Sequence, residues 1–128
     1  MAKIPDERTR NALLKAQKSE ITEHFVYAKL AGSMKDYHNK KVLKSISDGE
    51  LRHYNLWKKY TQKDVKPDMI KLWKYFLISK IFGITFGAKL MENGERKAQA
   101  AYEKISRHVP EAKKILKDEE GHKNSLSG

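Results

Sequence analysis

Apolar residues return with a helical period through most of the chain. From about Thr9 to Lys35 they fall at Leu13, Leu14, Ile21, Phe25, Ala28, Leu30 and Ala31, with no proline to interrupt them, and predict a first long helix. Lys35 to Asn39 (KDYHN) reads as a turn, since Asp and Asn both cap helices and favour turns. A second helix follows over about Lys40 to Tyr60, with Val42, Leu43, Ile46, Leu51, Tyr54 and Trp57 toward its buried side. Thr61 to Pro67 (TQKDVKP) is polar, closes on a proline and reads as a linker.

Asp68 to Ile105 then reads as one unusually long third helix, or as two helices broken near Gly83 or Gly87. Unbroken, such a helix would extend about 60 Å, and part of it would project from a compact bundle. Ser106 to Pro110 breaks the chain, and a last helix runs from Pro110 to about Asn124, with proline suited to its first position. The fold expected is therefore all-α, a four-helix bundle forming a single domain over residues 1–128.

The stretch 72–90 is the most apolar, with Trp73, Tyr75, Phe76, Leu77, Ile78, Ile81, Phe82, Ile84 and Phe86. Lys74, Lys80 and Lys89 interrupt it, which argues against a transmembrane span. Burial between two subunits is the reading preferred, giving a homodimer through the third helix. Contact with a membrane surface ranks below it.

The chain has 27 Lys and Arg against 16 Asp and Glu, a formal charge of +11. That surplus suits an anionic partner. The lysines are spread over every segment, without an Arg-rich arm or an aromatic RNA-binding signature, so nucleic acid is disfavoured. Cysteine is absent, which removes disulfides, zinc-thiolate sites and iron–sulfur centres. Nothing in the N-terminal residues has the apolar core of a signal peptide, and a cytoplasmic location is expected.

The candidate chemistry lies in two matching steps. Glu50 and His53 stand three residues apart on the second predicted helix, and Glu119 and His122 repeat the step near the C-terminus. At that spacing both side chains share a helix face. Each pair is preceded by a helix carrying glutamates in mid-course: Glu20, with Glu23 as its competitor, and then Glu92 and Glu95. Tyr27 follows Glu20 by seven residues, and Tyr102 follows Glu95 by seven. A single Glu-x-x-His arises by accident in a chain this charged. Two of them, on separate helices, are what a bundle needs to hold two metal ions, iron or manganese, through carboxylates and imidazoles. His24, His38 and His108 lack such partners and are expected at the surface or in turns.

These residues, with Glu20 to Ala31 (EITEHFVYAKLA) and Lys89 to Glu95 (KLMENGE), resemble the rubrerythrin-type, ferritin-like di-iron proteins, and in particular the branch fused to vacuolar-iron-transporter-type membrane domains. The resemblance implies a ferritin-like bundle with two irons. Glu20, Glu50, His53, Glu119 and His122 would be ligands, Glu95 the core ligand of the third helix, Glu92 an auxiliary, and Tyr27 and Tyr102 hydrogen-bonding neighbours. It implies ferrous iron oxidation by dioxygen or peroxide reduction, the latter with an external electron donor because a cysteine-free chain has no rubredoxin centre. It also implies a second possibility, a non-catalytic iron or manganese sensor or delivery module for a membrane transporter, placed close to an anionic membrane. The end at Gly128 falls where a transporter domain would follow.

Overall fold

A computed structural model describes residues 7–91, and those residues are helical with no strand among them. Helix α1 spans Glu7–Ser33, α2 spans Tyr37–Thr61 and α3 spans Met69–Phe82, after which residues 84–91 are helical again. The predicted last helix, and with it the completion of a four-helix bundle, lies outside the described residues.

The turn between α1 and α2 is short because Asp36 caps α2: its carboxylate accepts from the backbone N–H of His38 and Asn39. So tight a connection makes α1 and α2 an antiparallel hairpin. Its polar cross-links run antiparallel, pairing His24 with Ser47, Glu20 with His53 and Gln17 with Thr61. Residue numbers rise on one helix as they fall on the other. α2 ends at Gln62, which takes a left-handed φ of 58° and returns its N–H to the Lys58 carbonyl.

The linker is fastened along its length. Gln17 Nε2 donates to the Lys63 carbonyl at 2.6 Å, Val65 N–H donates to Tyr54 Oη at 2.9 Å, and Asp68 N–H donates to Thr22 Oγ1 at 2.9 Å. Lys58 and Asp64 form an exposed ion pair beside it. Asp68 then caps α3 by accepting from Lys71 N–H, so the linker fixes where α3 begins and lays it against α1. Leu72 and Met91 enter the same apolar cluster as Val26, Leu30, Leu43 and Ile46.

The unbroken third helix is not what forms. α3 stops after 14 residues, because Gly83 adopts φ 103° and ψ 157°, a conformation essentially restricted to glycine. In a straight helix Ser79 and Gly87 would stand about 12 Å apart. Instead a Cβ built on Gly87 would fall 1.8 Å from Ser79 Oγ and 3.2 Å from Ser79 Cα. The chain therefore turns sharply at Gly83 and stretch 84–91 folds back on α3, with Gly87 giving the clearance. Both glycines named in the sequence have a part, one making the break and the other the contact. No described helix is long and apolar enough to cross a membrane.

Candidate metal centre

The inner face of α1 is half polar. Leu13, Val26 and Leu30 are buried there, and so are Gln17, Glu20, Thr22 and Glu23. This mixture decides which face of the helix is buried: Phe25 and Ala28, two of the recurring apolar residues, face solvent. On α2 the buried polar residues are Ser47, Glu50, His53 and Thr61. Buried polar groups need hydrogen-bond partners, and buried charges need pairing or a metal.

Glu20, Glu50 and His53 meet between the two helices, exposed by 2, 1 and 1 %. Each offers one ligand atom within 4.8 Å of the others. His53 Nδ1 lies 3.2 Å from Glu20 Oε2. A carboxylate oxygen accepts, so Nδ1 carries the hydrogen of this bond in the metal-free protein. Metal–ligand bonds of about 2.0–2.2 Å place neighbouring ligand atoms of one ion roughly 3 Å apart. The Nδ1 to Oε2 separation is of that size, and a dication would take the place of the shared proton. The donor set, two carboxylates and one imidazole without sulfur, suits iron or manganese and equally admits zinc.

The surroundings hold these three groups in place. One turn from the site, His24 Nδ1 donates to the Ser47 carbonyl at 2.7 Å, and Ser47 Oγ donates to the His24 carbonyl at 2.8 Å. His24 is thus a half-buried clasp between helices and not the free surface residue its isolation in sequence suggested. His38 is exposed on the first turn of α2, as expected. On the other side of the site, Thr61 Oγ1 donates to Gln17 Oε1 at 2.6 Å. The clasps at 24–47 and 17–61 bracket the pair at 20–53.

Of the two acids competing on α1, Glu20 joins the group. Glu23, one turn on, is also buried and faces α3, where its charge together with Asp68 adds to burial in raising the Tyr75 phenol above its usual pKa. Tyr27 is buried in the apolar cluster one turn beyond Glu23. Glu92, Glu95, Tyr102, Glu119 and His122 lie outside the described residues. No family model, curated protein or solved structure matches the chain, so the centre is read from its own geometry.

Gln17 and Ser47 were not singled out by sequence reasoning. Gln17 carried a signal, since it precedes Glu20 by three residues and shares its face. Ser47 carried the matching one, three residues before Glu50.

Proposed function

We propose that the chain is a metal-binding protein of the rubrerythrin-type, ferritin-like kind, in which Glu20, Glu50 and His53 hold one part of a di-iron carboxylate centre that oxidises ferrous iron with dioxygen or reduces peroxide. The observation that carries this reading is the buried group itself, with an imidazole nitrogen and a carboxylate oxygen 3.2 Å apart between two clasped helices. Iron, when bound, supplies electrons to the oxidant one per ion.

The protein's part is binding and positioning. Glu20 and Glu50 compensate the charge of the dication, and His53 contributes a neutral nitrogen from Nδ1 once its proton has left. The clasps on either side keep α1 and α2 from separating to accommodate a larger, fully hydrated ion. Burial of all three side chains excludes bulk water from this half of the site. The remaining ligands in this reading are Glu95, Glu119 and His122, with Glu92 auxiliary.

Anaerobic titration with ferrous iron, followed by exposure to dioxygen and separately to peroxide, tests the proposal. Two irons bound per chain and repeated turnover, both lost in Glu50→Ala, are the expected results. Tight binding of iron or manganese without turnover would replace catalysis by a sensing or delivery role. Absence of stoichiometric binding would refute the metal centre altogether.

A further inference from the structure

The outer face of α3 is apolar where a solvated helix would be polar. Ile70, Trp73, Leu77 and Ile81 are 83, 46, 52 and 71 % exposed. Their spacing makes them one stripe along the helix. The opposite side is already in use: Leu72 and Ser79 are buried, and Tyr75 and Phe76 pack on the apolar cluster. Nothing inward is therefore left for the outer stripe to cover. Phe82 and Phe86, 65 and 48 % exposed with rings 5.3 Å apart, add a second apolar surface at the turn.

Charge decides between the occupants this face could take. Lys71, Lys74 and Lys80 are exposed on α3, and Lys29 from α1 sits 4.5 Å over the Trp73 ring. From Met69 to Met91 there is no aspartate or glutamate. A two-fold pairing of this face with a second copy would bring each set of lysines onto the same set, with no acid in the segment to answer them. An anionic lipid surface answers all of them at once: the apolar stripe enters the acyl boundary, the lysine stems extend along it, and their ammonium groups reach the phosphates. Trp73 lies at the margin of the stripe, where indole favours the membrane interface. At 14 residues, about 21 Å long, α3 would lie in the surface and not cross it.

We propose that the outer face of α3 docks in-plane on a membrane surface rich in anionic lipid. The interaction needs no metal and stands whether or not the centre between α1 and α2 binds one.

The test uses the whole chain and vesicles of phosphatidylcholine with or without phosphatidylglycerol. The chain has two tryptophans, of which Trp57 is wholly buried, so a change in emission on adding vesicles reads Trp73. Blue-shifted emission with anionic vesicles, and quenching by brominated acyl chains, are expected. An Ile70→Ser, Leu77→Ser, Ile81→Ser variant should partition at least about tenfold less well. Replacing Lys71, Lys74 and Lys80 by glutamine should weaken partitioning about fivefold per lysine. All six positions face solvent, and far-UV circular dichroism checks that the variants fold. Three results would each overturn the proposal: no partitioning, anionic-vesicle binding undiminished in the serine variant, or vesicle-free self-association that the serine variant abolishes. The second would reveal diffuse adsorption by net charge, and the third a second copy as the occupant.

Discussion

The α1–α2 hairpin and the α3 region treat polarity in opposite ways. On α1 and α2, eight polar side chains from Gln17 to Thr61 are buried, and among them are two acids and a histidine in mutual reach. On α3 the large apolar side chains Ile70, Leu77 and Ile81 face outward. Burial of apolar groups is the ordinary driving force of folding, so an exposed apolar stripe and a buried polar cluster are the two departures that carry information. Here one departure describes a place for a cation inside the protein, and the other a surface for something outside it. Among the described residues, apolar burial that favours folding comes from the shared cluster of Val26, Leu30, Leu43, Ile46, Leu72 and Met91 and from side chains such as Leu13 and Trp57.

The largest effect should follow from breaking the hairpin's polar pair. His53→Ala removes an imidazole that is 1 % exposed and leaves the Glu20 carboxylate without it in a buried site. Loss of a hydrogen bond to a charged group typically costs about 1.5–3 kcal/mol, and urea unfolding of the metal-free variant should show a loss of that order. Metal affinity should fall by more than the roughly 10–100-fold expected for losing a partner that only orients a ligand. A stability loss with affinity intact would make the cluster a structural network and remove the contrast between the two regions.

Next comes the fold of the α3 region. Gly87→Ala puts a methyl group against Ser79, and overpacking of this kind costs about 1–3 kcal/mol. Gly83→Ala forces an L-residue into φ 103°, with a cost of about 1–3 kcal/mol. Ser79→Gly in the Gly87→Ala background should recover part of the loss, which thermal unfolding can measure. Metal affinity in Gly87→Ala sharpens the comparison: unchanged affinity confines the centre to α1 and α2, whereas a parallel fall extends it into the chain beyond Met91, where Glu92 and Glu95 follow.

The helices, the turn at Asp36 and the linker before Asp68 were legible because each has a local cause: a repeating period, a capping carboxylate, a proline. The Glu50 and His53 pair was legible for the same reason, since one turn of helix brings them together. Its partner Glu20 was reached through a pattern of mid-helix acids, which left Glu23 as a competitor, and through the family resemblance, which favoured Glu20; the register of α1 on α2 supplies the physical reason. The buried face of α1 was not legible from its apolar residues, because a stripe half composed of Gln, Thr and Glu does not announce itself as buried while Phe25 and Ala28 lie outside it. Period alone could not decide whether the chain runs straight through Gly83. Glycine permits the break, but what stabilises it is the approach of Gly87 to Ser79 and the entry of Met91 into the core, both tertiary.

A smaller effect is expected at the clasp beside the centre. Ser47→Ala removes the bond from Oγ to the His24 carbonyl and the 2.9 Å contact of Oγ with His24 Nδ1, while leaving His24 Nδ1 its bond to the Ser47 carbonyl. The net worth of one such bond is about 1 kcal/mol. Urea unfolding should show that loss, and amide exchange should quicken around His24 and Ser47 before it changes on α3. Equal change on both would mean that the hairpin and α3 open as one unit.

The smallest effect lies where the regions meet, at Tyr75. Burial, then the charges of Glu23 and Asp68, raise its phenol above the ordinary value of 10.0. The folded state therefore holds this proton more tightly than the unfolded chain does. The contribution is fully present below about pH 10 and is lost as pH rises through the folded value, because the unfolded state releases its proton first. Tyr75→Phe should consequently lose less stability than the parent between neutral pH and the alkaline limb, and an ultraviolet titration should lack one late-ionising tyrosine. Tyr75 packs beside Glu23 on one side and belongs to α3 on the other, so Glu23→Gln should bring the titration of Tyr75 part of the way back toward 10.0. An unmoved titration in Glu23→Gln would mean that burial and Asp68 set the shift and that Glu23 does not reach across from α1 to α3.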